Sequence, residues 1–535
     1  MAPSLRVGDT DVPLLDETIG ATLRRTARTH GDTEALVDVP TGRRWTYAQL
    51  DADVDRVCAG LLGLGLSQGD RLAIWSPNVA EWVLVQYATA RLGIVLVTIN
   101  PAYRAHELAY VLKQSGAAVL VAALRFKTSD YQAMVEQVRG DCPALQHVVH
   151  LDDPSWDALL AAPAAELTAY ENGLTAADPI NIQYTSGTTG FPKGATLSHR
   201  NILNNGLFIG QLLGYTSADR ICVPVPFYHC FGMVIGNLAA LTHGACVVVP
   251  GPAFEPAATL RAVAQERCTS LYGVPTMFIA ELAEGVSSYD LSSLRTGVMA
   301  GSPCPTAVME QVIADMGMTE VGICYGMTET SPVSTQTRAD DDLDRRTSTV
   351  GQVHPHVEVK VVDADGEVVE EGLAGELCTR GYSVMLGYWD QPDLTAEAID
   401  SDGWMHTGDL ATMDEAGYLR IVGRIKDLVI RGGENVYPRE VEEYLYSHPD
   451  VADVQVVGVP DPKYGEELLA AVRLRAGAAV TEEELREFCR GRIAHYKVPR
   501  YVRFVDEFPM TVTGKVQKFK MREQAVAELG LQDQQ

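Results

Sequence analysis

The sequence has little positive charge and no long apolar run, and we expect no signal peptide. It contains 43 Lys and Arg against 70 Asp and Glu, a formal net charge of −27 at pH 7. Nucleic acids and anionic membrane surfaces select basic proteins, so neither is expected as the main partner. No apolar run approaches the roughly 20 residues of a transmembrane segment, and the N-terminus lacks the apolar core of a signal peptide. We therefore expect a cytoplasmic protein.

The ten cysteines are scattered singly from Cys58 to Cys489, and no C-x-x-C pair is present. This distribution predicts neither a disulfide framework nor a zinc site of the usual ligand spacing. It indicates reduced thiols, many of them buried as small apolar residues. The chain has 535 residues, too many for one hydrophobic core, so two or more domains are expected.

Strand-like and helix-like segments alternate between residues 40 and 125. Strands separated by helices indicate parallel βαβ units, and Thr46 is placed to cap the first helix. The fold class predicted for the chain is therefore α/β. The predicted strands are 72–75, 94–98 and 118–122, and the predicted helices are 47–61, 81–92 and 106–113.

The pattern of predicted helices and strands changes twice in the later part of the chain. A second α/β stretch is expected at 198–327, and short strands between turns at 357–422 predict a small antiparallel β unit. A compact α/β segment begins at Lys426, where we place the domain boundary. The prediction is a large N-terminal domain of residues 1–425, built from two α/β subdomains and the β unit, and a small C-terminal domain of residues 426–535.

The segment from Tyr184 to His199, YTSGTTGFPKGATLSH, packs hydroxyls, glycines and one lysine into a short loop. Glycines let backbone N–H groups approach a ligand closely, and a lysine adds a mobile positive charge. Such a loop suits a polyphosphate. It is not a Walker A loop, because Pro192 stands where that pattern needs glycine. The candidate phosphate-binding residues are Thr185, Ser186, Gly187, Thr188, Thr189, Gly190 and Lys193.

This loop closely resembles the signature of the adenylate-forming (AMP-binding) superfamily, and further motifs match in the same order over nearly the whole chain. Members of this superfamily convert a carboxylate to a mixed anhydride with AMP, which replaces a poor leaving group by a good one. This chemistry needs a phosphate cradle, a metal ion, a nucleoside pocket and a cation on the transferred phosphoryl group. The resemblance implies a large adenylate-forming domain followed by a small, mobile C-terminal domain.

The segment GICYGMTET at 322–330 resembles the family's Y-G-x-T-E motif. The resemblance implies that Tyr325 stacks on adenine, that Thr328 bonds the α-phosphate and that Glu329 binds Mg²⁺. The segment AGSP that precedes it resembles the loop that flanks adenine. The candidate residues bordering the base are Gly301, Ser302, Pro303 and Gly326.

The segment HTGD, ending at Asp409, resembles the motif whose aspartate bonds both ribose hydroxyls. Arg424 matches the arginine that helps to hold ribose and phosphate, and Lys426 falls on the hinge position of the small domain. The segment PMTVTGK at 509–515 matches the P-x-T-x-x-G-K motif. By this resemblance Lys515 bridges the carboxylate and the α-phosphate during adenylation.

Two further segments bear on the acceptor and the acyl group. Gly432 and Gly433 lie in a segment that resembles the loop of CoA ligases bordering the pantetheine tunnel, where no side chain blocks the passage. The segment PFYHCFG at 226–232 resembles the acyl side of the site, where His229 is a candidate gate. Packing in the core is the alternative for a single histidine in an apolar run. Residues 272–276 resemble the wall of the acyl pocket.

The motifs are most similar to those of medium-chain fatty acyl-CoA synthetases. The expected reaction joins a medium- to long-chain fatty acid and ATP into acyl-AMP and pyrophosphate, then transfers the acyl group to CoA and releases AMP. The resemblance implies ATP, Mg²⁺ and coenzyme A as cofactors, and it implies a homodimer, which is common in the family. The alternatives are an acyl-adenylate ligase that loads a carrier protein, an aryl or short-chain acid CoA ligase, a luciferase-type oxygenase and a nucleotide-binding regulator. The regulator is disfavoured because Lys193, Glu329, Asp409 and Lys515 are all present.

Overall fold

The computed structural model describes residues 2–185, 192–302, 304–511 and 516–531. Their strands form four large sheets and one short ribbon, Arg125–Phe126 with Ser129–Asp130. The seven-stranded sheet has the spatial order Gly387–Tyr388, Lys193–Ser198, Pro179–Thr185, Val95–Thr98, Arg71–Trp75, Val119–Ala122, His147–His150. The nine-stranded sheet has the order Gln352–Val353, Val333–Gln336, Glu320–Gly326, Thr296–Ala300, Ser270–Gly273, Arg220–Cys222, Cys246–Val249, Glu34–Asp38, Arg43–Thr46.

Two five-stranded sheets complete the molecule. The antiparallel sheet, called the β unit below, has the order Leu5–Val7, Val357–Val362, Gly375–Gly381, Met405–Met413, Leu419–Arg424. The C-terminal sheet has the order Glu434–Val436, Val429–Arg431, Gly465–Leu474, Val451–Asp461, with Tyr501–Phe504 added in parallel to the third of these strands.

Helices cover the sheets. The α-helices of the described residues are Ile19–Thr29, Tyr47–Gly63, Ala80–Leu92, Ala105–Ser115, Tyr131–Arg139, Pro154–Leu160, Thr168–Asn172, His199–Leu212, Ala239–His243, Pro256–Glu266, Pro275–Ala283, Thr306–Met316, Leu343–Ser348, Pro392–Ala398, Pro438–Tyr446, Glu482–Cys489 and Lys518–Leu529. A π-helix spans Phe231–Leu238, and 3₁₀ turns span Val286–Ser288, Thr328–Thr330, Ile425–Asp427 and His495–Lys497. Within the described ranges, no helix is both long and apolar enough to cross a bilayer.

The prediction of parallel βαβ units near the N-terminus is confirmed. Arg71–Trp75 pairs in parallel with both Val95–Thr98 and Val119–Ala122. Thr46 caps the first helix of this region: its hydroxyl accepts from the Gln49 N–H, and the Gln49 side chain accepts from the Thr46 N–H. This reciprocal pair satisfies two donors that the helix cannot satisfy itself.

The division of the N-terminal domain into consecutive stretches is too simple. Glu34–Asp38, from the start of the chain, pairs in parallel with Cys246–Val249 inside the second α/β region. Leu5–Val7 pairs antiparallel with Val357–Val362 at the edge of the β unit. Both pairings join segments hundreds of residues apart, and such pairings have no signature in local periodicity.

One apolar core joins the two largest sheets. It contains buried residues of three helices, Tyr47–Gly63, Ala80–Leu92 and His199–Leu212, together with Ile74 of the seven-stranded sheet and Val247 of the nine-stranded sheet. The ten cysteines are all buried and unpaired, which confirms the expectation of reduced thiols within the core. The helices therefore fix the relative position of the carboxyl ends of both sheets.

The C-terminal sheet has its own apolar cores. Helices Pro438–Tyr446 and Glu482–Cys489 contribute to one of them, and helix Lys518–Leu529 contributes to the other. The α/β character predicted for this part of the chain is confirmed. Lys426 lies in the 3₁₀ turn between the last strand of the β unit and the first strand of the C-terminal sheet, and the boundary at this residue remains a prediction.

Candidate active site

A β-hairpin carries the predicted phosphate loop. Strands Pro179–Thr185 and Lys193–Ser198 are antiparallel, and Thr185 lies opposite Lys193, so both ends of the loop are held in the sheet. The Thr185 hydroxyl donates to the Lys193 carbonyl at 3.4 Å. The loop residues Ser186, Gly187, Thr188, Thr189 and Gly190 lie outside the described residues, and their roles remain predictions.

Tyr388 connects the lysine of this hairpin to the predicted metal ligand. The Lys193 ammonium lies 5.1 Å from the centroid of the Tyr388 ring, and the Tyr388 hydroxyl donates to Glu329 Oε1 at 2.8 Å. Burial and the neighbouring Glu329 carboxylate raise the pKa of Tyr388, so the phenol stays protonated and remains a donor. Sequence reasoning missed Tyr388, because no motif marks it; its place follows from the pairing of its short strand with residues 193–198.

Glu329 is suited to hold a hard divalent cation. It lies in the 3₁₀ turn Thr328–Thr330 and is 5% exposed. The Met385 N–H donates to its backbone carbonyl at 2.9 Å, which fixes the turn against the start of the seven-stranded sheet's edge strand. A buried carboxylate that Tyr388 links to Lys193 is the kind of oxygen ligand that Mg²⁺ takes together with substrate phosphates.

Two predicted residues, Tyr325 and Arg424, meet at the carboxylate of a third, Asp409. The Tyr325 hydroxyl donates to Asp409 Oδ2 at 2.7 Å, and Arg424 Nε lies 2.8 Å from Asp409 Oδ1. Asp409 and Arg424 are cross-strand neighbours in the β unit. Although burial opposes its charge, Asp409 raises the pKa of Arg424. Burial and Asp409 also raise the pKa of Tyr325 well above its usual value.

This arrangement bears on the roles predicted for Asp409 and Tyr325 in binding the nucleoside. Both oxygens of Asp409 are engaged by protein donors, so ribose hydroxyls would share or displace these hydrogen bonds. The hydroxyl of Tyr325 holds its ring in place, and the stacking role on adenine remains a prediction. Gly326 cannot carry a side chain, because a Cβ there would lie 1.8 Å from the Pro332 carbonyl oxygen.

The loop predicted to flank adenine leaves the same edge of the sheet as Tyr325. Strands Thr296–Ala300 and Glu320–Gly326 are parallel neighbours with Ala300 opposite Cys324, so Gly301 and Ser302 emerge beside Tyr325. Carboxyl ends of parallel strands are the usual site of ligand binding in open α/β sheets. Pro303 lies outside the described residues.

His229 precedes the π-helix Phe231–Leu238. Its Nδ1 accepts a hydrogen bond from the Phe231 N–H at 3.1 Å, which assigns its proton to Nε2 when the ring is neutral. Just behind it, the Cys230 thiol donates to Gln183 Oε1 at 2.9 Å. Burial raises the pKa of this thiol to about 12. The gating role of His229 remains a prediction.

The π-helix forms an apolar wall with the segment at 272–276. The rings of Phe231 and Tyr272 lie 5.8 Å apart, and the Tyr272 hydroxyl donates to the Ile235 carbonyl at 3.0 Å. All residues of the π-helix are buried. Because π-helical turns concentrate at functional sites, this wall is a candidate surface for an apolar substrate group.

Gly432 and Gly433 form a tight turn between Val429–Arg431 and Glu434–Val436. Their φ angles are +62° and +88°, and two consecutive positive φ values define the hairpin turn in which glycine is strongly preferred. A Cβ on Gly432 would lie 3.1 Å from the Tyr464 ring, whereas a Cβ on Gly433 would meet nothing within 4 Å. The backbone conformation therefore favours glycine at both positions, and their part in a pantetheine passage remains a prediction.

Lys426 and Lys515 belong to the C-terminal part of the site. Lys426 lies two residues after Arg424, so a backbone rotation at this turn would move the C-terminal sheet relative to Asp409. Lys515 lies outside the described residues. On either side of it, Met510 and Val516 pair in an antiparallel bridge.

Comparison with known proteins agrees with this geometry. The family model named AMP-binding enzyme matches residues 23–389, and the model named AMP-binding enzyme C-terminal domain matches residues 440–515. Medium-chain acyl-CoA ligase ACSF2, mitochondrial, of Rattus norvegicus is 44% identical, over 98% of this chain and 90% of the relative.

Two solved structures are similar over nearly their whole length. The anthranilate CoA ligase AuaEII in complex with anthranoyl-AMP has a TM-score of 0.89 and 29% identity, covering 97% of this chain and 99% of its own. ATP-bound MatB from Rhodopseudomonas palustris has a TM-score of 0.85 and 31% identity, covering 94% of this chain and 98% of its own. With matching family models over both of its parts and the adenylate-forming fold, this chain belongs to the AMP-binding enzyme family.

Proposed function

We propose that this chain is an ATP-dependent acyl-CoA synthetase that activates a medium- to long-chain fatty acid as acyl-AMP and transfers it to CoA. The observation that carries the proposal is the convergence of Lys193 with Glu329 through Tyr388 and of Tyr325 with Asp409. In this proposal Lys193 is the cation, Glu329 is the metal ligand and Asp409 is the ribose acceptor. Acyl-CoA ligase activity in a relative that is 44% identical supports the same chemistry.

Each residue has a definite task in this proposal. Lys193 and the glycine-rich loop hold the β- and γ-phosphates, and Glu329 would hold Mg²⁺, which neutralises phosphate charge when bound. Asp409 and Arg424 hold the ribose, and Lys515 contacts the carboxylate and the α-phosphate. The charge that develops in the transition state is met by groups already oriented for it, which is the main source of catalysis in such sites.

The acyl group, the acceptor and the setting of the enzyme are the finer parts of the proposal. The apolar wall of Phe231 and Tyr272 favours an aliphatic or aromatic acid over a polar one. A cytoplasmic location and a homodimer are proposed with it, although the rat relative carries a mitochondrial name. The direct experiment is a panel of carboxylic acids, from acetate through long-chain fatty acids to benzoates, scored for AMP release with and without CoA. A response confined to aryl or short-chain acids would overturn the fatty-acid assignment.

Replacing Glu329 by glutamine should slow acyl-adenylate formation at least about tenfold, or ~1.4 kcal/mol, and should raise the Mg²⁺ concentration needed for half-maximal rate. Glutamine keeps the shape and can still accept from the Tyr388 hydroxyl, but it lacks the charge that binds the cation. The measurement is pyrophosphate exchange as a function of Mg²⁺. Tyr388→Phe is the comparison variant: it removes the hydrogen bond to Glu329 and keeps the carboxylate charge, so it should raise the Mg²⁺ requirement less than Glu329→Gln does. An unchanged metal dependence in Glu329→Gln would show that Glu329 is not the ligand.

Replacing Asp409 by alanine should raise the KM for ATP by about tenfold to a hundredfold. The estimate corresponds to one hydrogen bond to a charged acceptor, worth about 1.5–3 kcal/mol. The variant also leaves Arg424 and Tyr325 without their partner, so its melting temperature is measured alongside. Asp402→Ala removes an exposed carboxylate in the turn before strand Met405–Met413 and serves as the control. If Asp409→Ala keeps a normal KM for ATP, the ribose role is wrong.

Gly433 allows CoA transfer to be tested apart from adenylation. Leucine at this position should abolish most CoA-dependent turnover and leave pyrophosphate exchange nearly normal. Because φ is +88°, leucine also strains the turn, whereas asparagine has almost the same size and tolerates this conformation. If both Gly433→Leu and Gly433→Asn lose CoA-dependent turnover, the side chain blocks the passage. If only Gly433→Leu loses it, the cause is strain in the turn. Turnover that needs an acyl carrier protein instead of CoA would favour the carrier-loading alternative.

A further inference from the structure

Three side chains with metal-binding atoms meet on one face of the β unit. Cys378 and His406 are direct cross-strand partners, and Glu376, two residues before Cys378, points to the same face. Their ligand atoms all lie within 4.8 Å of one another. The Cys378 Sγ to His406 Nδ1 distance is 3.5 Å, and the His406 Nδ1 to Glu376 Oε2 distance is 2.9 Å. We call this group the β-unit cluster.

The spacing suits a tetrahedral cation. With a metal–sulfur distance of ~2.3 Å and a metal–nitrogen distance of ~2.05 Å, the edge between the two ligands of a tetrahedral zinc site is roughly 3.5 Å. The Sγ–Nδ1 separation equals this edge. The Nδ1–Oε2 separation is shorter than an edge, because a proton now joins these atoms, and a metal ion would take the place of that proton.

A fourth side chain orients the histidine. Asp400 Oδ2 lies 3.6 Å from His406 Nε2, while Asp400 Oδ1 accepts from the Trp404 N–H at 2.9 Å and is thereby fixed in place. A carboxylate behind the second ring nitrogen is the usual outer partner of a metal-bound histidine, where it sets the tautomer and the ring orientation. The cluster therefore offers three ligand atoms and a carboxylate near the second ring nitrogen, which leaves the fourth position of a tetrahedral site to water.

Access to the cluster is also compatible with a cation. His406 and Glu376 keep 35% and 20% of their side-chain surface exposed, which gives an ion a way in. Sulfur and imidazole donors together favour zinc over magnesium.

We propose that Glu376, Cys378 and His406 bind a divalent transition-metal ion, with Zn²⁺ as the ion that this donor set selects. The site is separate from the Mg²⁺ position proposed at Glu329. It adjoins the ribose carboxylate, because Glu376 Oε1 also accepts from the Gly408 N–H at 3.0 Å, next to Asp409. An ion held by Glu376 and His406 would fix the turn that presents Asp409.

The test is a titration of metal-stripped protein with Co²⁺, followed by competition with Zn²⁺. We expect one equivalent of Co²⁺ with the near-ultraviolet charge-transfer band of a cobalt–thiolate bond, displaced by Zn²⁺. Cys378→Ser should abolish the band. Asp400→Asn should weaken binding about 10- to 100-fold, as loss of an outer partner does elsewhere. Cys489→Ser and Asp402→Asn are the matched controls and should bind as the wild type does.

Absence of the band at saturating Co²⁺, or its persistence in Cys378→Ser, would overturn the proposal. Because Cys378 is buried, the serine variant could fail to fold, so X-ray absorption on zinc-loaded wild-type protein provides a second readout. One sulfur and two or three nitrogen or oxygen neighbours are expected around the zinc. A coordination shell without sulfur would show that the cluster is only a hydrogen-bonded group.

Discussion

Replacing Lys515 by alanine should slow acyl-adenylate formation by about 10²–10³, while thioester formation from supplied acyl-AMP continues. The physical reason is the loss of a cation that contacts the carboxylate and the α-phosphate as charge develops between them. Removal of a single donor of this kind costs about 3–4 kcal/mol in other enzymes. The two half-reactions are measured separately, by fatty-acid-dependent pyrophosphate exchange and by conversion of synthetic acyl-AMP to acyl-CoA.

The control for this experiment is Lys520→Ala. Lys520 lies five residues further along, in an α-helix, with its ammonium 5.9 Å from the centroid of the Phe519 ring. It should affect neither half-reaction. Equal loss of both half-reactions in Lys515→Ala would show that the lysine supports folding or domain position and does not act on the adenylation step.

Replacing Lys426 by proline should leave adenylation nearly intact and reduce thioester formation by about 10². Lys426 lies in a 3₁₀ turn, whose φ is close to the value of about −65° that proline imposes. The present orientation, in which Arg424 contacts Asp409, should therefore persist. A second orientation that needs a different backbone angle at this residue would be disfavoured by about 3 kcal/mol, which corresponds to roughly 10² in rate.

The matched variant Lys426→Ala removes the side chain and keeps backbone freedom. Lys426→Ala should retain both half-reactions. A loss of thioester formation in Lys426→Pro alone therefore identifies residue 426 as the hinge. Near-wild-type rates in Lys426→Pro would place the moving hinge elsewhere and would also contradict the domain boundary at residue 426. Single-turnover measurements of each step separate this outcome from a change in substrate binding.

Periodicity and turn chemistry predicted much of the fold, because they are local. Thr46 caps its helix through a contact with Gln49, three residues away, and the short strands predicted at 357–422 pair as an antiparallel sheet. The strand Glu34–Asp38 was not assigned to its sheet, because its partner, Cys246–Val249, lies about two hundred residues further along. Pairing over such distances depends on the tertiary fold.

In the candidate site, too, some residues could be predicted from local motifs, whereas others depend on the tertiary fold. Tyr325, Asp409 and Arg424 were found through motifs, and the structure brings them together. Tyr388 and the β-unit cluster were not found, because their roles depend on which side chains face each other across strands. Cys378 and His406 are 28 residues apart, so no ligand spacing along the chain could indicate them. Sequence motifs identify residues by kind, whereas strand register decides which of them meet.

The most direct test of the central claim follows an oxygen atom. Fatty acid labelled with ¹⁸O in both carboxylate oxygens is incubated with ATP, Mg²⁺, CoA and the enzyme, and the products are analysed by mass spectrometry. If the carboxylate attacks the α-phosphorus and CoA then cleaves the carbon–oxygen bond of acyl-AMP, each AMP carries one ¹⁸O and the acyl-CoA retains the other. Unlabelled AMP, or ADP together with labelled phosphate, would contradict an acyl-adenylate intermediate.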